Sequence, residues 1–296
     1  MPEHAIVEAP SNLGLRPTGV ETLPAAVLGA GLAERIGARR AGLVPPLPYD
    51  ARRDPETGIL NPGGIRDYSR RLADALGAAL DRGEFPVVLG GDCSILLGSL
   101  LALRRRGRFG LLFLDGHSDF YRPENEPLGE AASMELALAT GRGPTIVTDI
   151  EGRRPLVRDE DVVAFGMRDA AKDPEYAADP LPAGMCALDL AEIRRVGTER
   201  SAHEAMAHLS REGGPHRFWI HLDADVLDDA VMPAVDYRMP DGLSWAELES
   251  VLRAAVGSGR AAGLEVTIYN PRLDPGGRIA SDFVEVLAKA LSSSSG

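Results

Sequence analysis

Short apolar runs recur along the chain, each closed by a glycine- or aspartate-rich turn: FPVVLGG, FGLLFLDGH, DVVAFGMRD, RFWIHLDAD and GLEVTIYNP. Continuous rather than alternating apolar positions predict strands buried on both faces, as in a parallel sheet. Between them, GGIRDYSRRLADALGAALDRG (63–83), SILLGSLLALRRRG (94–107) and SWAELESVLRAAVGSG (244–259) carry helical spacing, and each ends near a glycine. Strand–helix alternation predicts a doubly wound α/β sheet. Two stretches break the pattern, PPLPYDARRDPETGILNPGG (45–64) and YRPENEPLGEAAS (121–133), and read as long surface loops at an active-site edge. LRRRGR (103–108) falls where a helix should end, so its cations complement the helix dipole rather than mark an anion site. No repeat or linker divides 1–296, which reads as one domain, with 291–296 as a frayed tail.

Composition narrows the function classes. With 296 residues, 44% of them hydrophobic, the chain can bury a large core without covalent staples. Two cysteines make no disulfide framework, which points to a reducing, cytoplasmic setting. The start MPEHAIVEAPSNLGLRP lacks a signal-peptide pattern, and no apolar run approaches membrane-spanning length, so neither export nor a membrane is expected. A net charge of −12 argues against nucleic acid, favours cationic small molecules only weakly, and mainly points to a soluble chain.

The chemistry concentrates at strand ends. In LLFLDGHSDF, Asp115, His117 and Asp119 alternate directly after an apolar strand, which puts their side chains on one face. FWIHLDADVLDD repeats the device with Asp223 and Asp225. Carboxylates and an imidazole converging at the carboxyl ends of parallel strands are costly unless a cation lies among them, so a divalent metal site is expected. His221 shares the face of Asp223 and reads either as packing or as a contact to the metal's neighbours or the substrate. His4, His203, His208 and His216 read as solvent-facing, and Cys186 as a small buried hydrophobe. Cys93, in VVLGGDCSILLG, reads as nucleophile, metal ligand or buried small side chain; Gly90 and Gly91 read as a tight turn presenting it.

Gly90-Gly91-Asp92-Cys93-Ser94, Asp115-Gly116-His117-Ser118-Asp119 and the run from His221 to Asp229 together resemble the ureohydrolase superfamily of arginase, agmatinase and related amidinohydrolases. Their counterparts there are Gly-Gly-Asp-His-Ser, Asp-Ala-His-x-Asp and Ser-x-Asp-x-Asp-x-x-Asp-Pro. A Glu-x-Asn-Pro motif has a stretched counterpart in GLEVTIYNP, with Glu265 in the glutamate's role.

The resemblance implies a three-layer α/β/α sandwich with a mostly parallel sheet of about eight strands. It also implies two Mn²⁺ ions bridged by hydroxide, which attacks an amidine or guanidino carbon to release urea or a related product. Asp115 and Asp223 would bridge the ions, Cys93 and Asp119 would serve one, and His117 and Asp225 the other. Asp119 would also orient the nucleophile, and Glu265 would grip the guanidinium. A homotrimer or hexamer is implied as well.

Several positions depart from the family pattern. Cysteine at 93 is soft and suits Zn²⁺, Fe²⁺ or Ni²⁺ better than Mn²⁺, so a single-ion, deacetylase-like amide hydrolase is an alternative. Ala132 stands where the family's proton-shuttling histidine falls, with Glu130 as a replacement. Arg168 and Asp169 keep the start of a substrate-gripping Arg-Asp-x-Asp motif, which then meets Ala171. Two further alternatives are a non-catalytic member and a hydrolase using Cys93 as nucleophile with His117 or His221 as base. Neighbouring carboxylates would raise that thiol's pKa, against the last.

Overall fold

The computed structural model of the chain describes residues 2–169 and 178–292. The strands are β1 His4–Glu8, β2 Arg39–Leu43, β3 Phe85–Leu89, β4 Gly110–Leu114, β5 Val162–Phe165, β6 Cys186–Leu188, β7 Phe218–Asp223 and β8 Ala261–Thr267. They form one eight-stranded sheet in the order β2-β1-β3-β8-β7-β4-β5-β6, every adjacent pair parallel. The five apolar runs all became strands. The three strands not foreseen lack such a run: β2 is the polar edge RRAGL, β6 is a three-residue edge, and β1 is a short HAIVE with polar ends. His4 is consequently a buried strand residue with Nδ1 3.3 Å from Ile36 O, not a solvent-facing one.

The helices are α1 Leu23–Gly29, α2 Leu32–Arg35, α3 Pro62–Asp81, α4 Leu96–Arg104, α5 Glu135–Ala139, α6 Thr145–Thr148, α7 Leu190–Val196, α8 Thr198–Leu209, α9 Trp245–Gly257 and α10 Arg278–Leu291. Alternation along β4 divides them into layers. Leu111 and Phe113 pack with α3 to α6, while Leu112 and Leu114 pack with the other six helices on the opposite face. This is the expected three-layer sandwich.

Local sequence explains where elements begin. Pro62 opens α3 at a position that needs no N–H. Ser244 and Glu247 form a reciprocal capping box on α9. The run expected as a helix from 94 starts with a 3-10 turn, Cys93–Ile95, before α4, which is buried on all sides. Arg105 and Arg106 at its end pair with Asp74 and Asp81 of α3, in keeping with the helix-end reading. Leu291 is the buried last residue of α10 rather than part of a tail; residues 293–296 lie outside the described residues. No helix among the described residues is long and apolar enough to cross a membrane.

Candidate metal centre

Four adjacent central strands, β3, β8, β7 and β4, end at one edge of the sheet. After β3 the chain turns through Gly90 and Gly91. A Cβ on Gly91 would lie 1.8 Å from Ser11 O, and one on Gly90 2.2 Å from Ile95 Cδ1. Neither glycine has positive φ. At this turn it is the close approach of chain segments, not left-handed backbone, that bars a side chain. Asp92 then accepts from Ser94 N (2.9 Å) and Ser11 Oγ (3.1 Å), which holds Cys93 inward. The Cys93 thiol donates to Asp223 Oδ2 (2.8 Å) and lies 3.1 Å from Thr267 Oγ1 of β8.

The carboxylates share a design in which one oxygen ties down the local backbone and the other faces the centre. Asp115 Oδ1 accepts from His117 N (2.6 Å) while Oδ2 has no partner. Asp223 Oδ1 accepts from Asp225 N (2.7 Å), leaving Oδ2 to Cys93. Asp225 Oδ1 accepts from Gly116 N (3.1 Å), and Oδ2 lies 2.9 Å from His117 Nδ1. Donor atoms of Asp115, His117 and Asp119 lie within 4.8 Å of one another, as do those of Asp115, Asp223 and Asp225, and of Cys93, Asp119 and Glu135. All six expected ligands are therefore brought together.

Electrostatics fit a cation. Burial, then repulsion by neighbouring acids, pushes Asp115, Asp119, Asp223 and Glu135 well above the usual carboxylate range. Burial and the same acids push the Cys93 thiol up too, and Cys93 does not line the cavity described below, which speaks against a free thiolate nucleophile. Asp225 is the exception: burial works to raise it, but His117 beside it holds it low. Burial likewise works against the His117 charge, yet Asp225 raises its pKa. Unpartnered buried oxygens facing one another are unfavourable without a positive centre, and a divalent ion supplies one.

A cavity of about 420 Å³ opens onto His117, Asp119, Asp223 and Asp225. Its walls include Leu15, Ala132, Tyr237, Ile268 and much of the loop 121–133, the loop expected at an active-site edge. The expected loop 45–64, whose last three residues prove to open α3, braces that wall, because the Arg53 guanidinium donates to Gly58 O and Pro123 O. Glu130 sits in the wall, accepting from Arg16 N (3.1 Å) and Tyr237 Oη (2.8 Å).

The three expected substrate contacts are not brought there. Glu265 is wholly buried, with Oε1 2.7 Å from His221 Nδ1 and Oε2 accepting from Ser99 Oγ (2.5 Å). It points from mid-strand into the α3–α6 layer, so it cannot grip a ligand in the cavity. Aligning Glu-x-Asn-Pro without the stretch puts Ile268 at the glutamate's place, and Ile268 is the residue in the wall. His221 is buried beside Glu265, stacked on Phe113 at 4.9 Å. Asp169 Oδ2 accepts from Ser118 N (2.9 Å) and Oγ (2.7 Å), which steadies the loop after β4; Ala171 lies outside the described residues. Arg168 donates to Asp225 O (2.8 Å), Leu227 O (3.1 Å) and Met239 O (3.1 Å), a structural clamp behind the site.

Sequence reasoning missed Glu135 and Ile268. Glu135 opens an otherwise apolar, wholly buried helix, ELALA, and that contrast was its signal. Ile268 was readable from the distance to Asn270-Pro271. Ile268 (φ 69°) and Asp119 (φ 41°) both hold left-handed backbone, a strain that collects at functional sites.

The family model described as "Arginase family" matches residues 3–292. The chain belongs to the arginase family. Arginase of Staphylococcus aureus (strain COL) is 27% identical over 293 residues, covering 95% of this chain and 94% of its own. Arginase of Brevibacillus brevis is 30% identical over 278 residues, covering 91% of each. The arginase structure from Bacillus caldovelox superposes with a TM-score of 0.89 at 26% identity, covering 100% of both chains. Proclavaminate amidino hydrolase from Streptomyces clavuligerus shares the fold at a TM-score of 0.73 and 21% identity, covering 98% of this chain and 91% of its own.

Proposed function

We propose that this arginase-family hydrolase cleaves a C–N bond in a linear amidine or guanidino compound, releasing urea or a related product, with one or two divalent ions at the ends of β4 and β7. The observation that carries this reading is the set of buried carboxylates whose inward oxygens converge where the cavity opens. Asp115 and Asp223 would serve both ions, His117 and Asp225 one of them, Cys93 and Asp119 the other. Family likeness favours Mn²⁺; the Cys93 sulfur favours Zn²⁺, Fe²⁺ or Ni²⁺. An ion bound there lowers the pKa of water, so that a nucleophile is available at neutral pH.

The chain's own residues do the rest. Asp119, in the cavity wall, orients the nucleophile and takes its proton. Ala132 offers no proton carrier, and the nearby Glu130 carboxylate is the group a cationic substrate would face. Ile268 favours a second reading, hydrolysis of a neutral amide, because an apolar side chain stands where a guanidinium grip would be. The cytoplasmic setting rests on the two-cysteine composition, and a homotrimer or hexamer on family likeness.

Elemental analysis of protein purified without added metal, with product release measured over guanidino, formimino and amide compounds, tests this. Asp115→Ala and Asp223→Ala should each abolish bound metal and turnover. Full metal occupancy in both variants would sink the site. Bound metal without turnover on any of these compounds would instead favour a non-catalytic role.

A further inference from the structure

Beneath the cavity, on the α3–α6 side of the sheet, lies a group of buried polar atoms that the reading above leaves unused. His221 Nδ1 donates to Glu265, whose other oxygen accepts from Ser99, so the ring proton is held at Nδ1. Nε2 faces the centre with no hydrogen-bond partner; its nearest acid, Glu135 Oε1, is 3.9 Å away. Glu135 is wholly buried at the start of α5, and its oxygens meet no donor unless a proton is shared with the neighbouring Asp119 carboxyl. Asp115 Oδ2 is unpartnered as well.

These atoms fall in overlapping sets that share members. Donor atoms of Cys93, His221 and Asp223 lie within 4.8 Å of one another, as do those of Asp115, Glu135 and His221, and those of Cys93, Asp119 and Glu135. Tetrahedral ligands at zinc-type bond lengths stand roughly 3.3–3.8 Å apart, so these sets need to close by roughly 1–1.5 Å at most to hold an ion. An imidazole lone pair and ionised carboxylate oxygens have no proton to share with one another, and a cation satisfies all of them.

We propose that Cys93 Sγ, His221 Nε2 and an Asp223 oxygen are ligands of one divalent ion, and that a Glu135 oxygen, within reach of Cys93 in one set and of His221 in another, closes on it as the fourth. This rests on the metal reading above and relocates one of its ions. The histidine missing at position 93 is replaced from β7, and Glu135 adds a ligand from α5. Thiolate, imidazole and carboxylate together select Zn²⁺ or Fe²⁺ over Mn²⁺. On binding, the Cys93 proton leaves to solvent. Glu265 becomes a positioning residue, holding the His221 tautomer from behind through its carboxylate.

The test is metal stoichiometry and affinity of zinc-reconstituted full-length protein, together with the thiolate-to-cobalt absorption of the Co²⁺ form. His221→Gln and Glu135→Gln should each lose one ion or bind it at least 100-fold more weakly, and should shift or abolish the cobalt–thiolate band. Glu265→Gln should keep the band and weaken binding by about 10–100-fold. The near-isosteric Glu135→Gln carries the test alone if His221→Gln does not fold. Unchanged stoichiometry, affinity and band in a folded Glu135→Gln variant would overturn the proposal. If Asp223→Ala then still removes metal, the metal reading survives; full occupancy in Asp223→Ala overturns both.

Discussion

Ile268 shows how one side chain shifts the chemistry available to a cavity. A β-branched residue with left-handed backbone costs about 1–3 kcal/mol, and here it stands in the wall of the cavity above the carboxylates. Replacing it restores a carboxylate at the glutamate's place in Glu-x-Asn-Pro. Ile268→Glu is therefore expected to bind simple alkylguanidines at least tenfold more tightly by calorimetry, through charge-assisted hydrogen bonds. No gain would mean that the cationic end of a ligand does not approach this wall. At this scale the sequence was legible wherever side-chain phase decided the outcome, as for Asp115, Asp223 and the other expected ligands. It was not legible for Glu265, because a carboxylate's reach depends on whether it stands mid-strand or past the strand's end, and a one-letter motif stretched by three positions hides that difference.

Among the elements, α9 carries the clearest local determinant. Burial works to raise the Glu247 carboxyl, but Ser244, Arg194 and Thr198 bonded to it hold it at about 2. A folded value below the unfolded one of about 4.3 gives stability that is present above the unfolded pKa and lost as pH falls towards 2. With the side chain about a quarter exposed (25%), the contribution is about 1–2 kcal/mol. Glu247→Gln should lower the melting temperature at pH 7 and flatten the loss of stability between about pH 4.5 and pH 2. Central strands and long helices were readable because burial on two faces, or on one helical stripe, writes itself into the spacing of apolar residues. Edge strand β2 carries no such signal, since its partner lies on one side and its residues are largely exposed.

For the molecule as a whole, the cost of gathering buried acids at one edge is offset when a cation binds. Ligation of the folded state alone adds about 2.7 kcal/mol at a hundredfold excess over the dissociation constant. EDTA treatment should therefore lower the melting temperature of wild type by roughly 5 °C or more, with little effect on Asp223→Ala. Equal shifts in the two proteins would place the chelated ion elsewhere. The doubly wound architecture followed from strand–helix alternation alone. What alternation did not reveal was the order of strands, on which the site depends.

That order also sets the sequence of events in synthesis. The chain makes β3 and β4 early but leaves a gap two strands wide between them, later filled by β7 and β8. The inner edge of β4 stays unpaired until β7 ends at Asp223, and that of β3 until β8 begins at Ala261, and open edges of this kind recruit other chains. Asp223 and His221 arrive only with the strands that close that gap. A chain able to capture its ion has therefore already made β7, and metal loading doubles as a check that the strand pairing with β4 is in place.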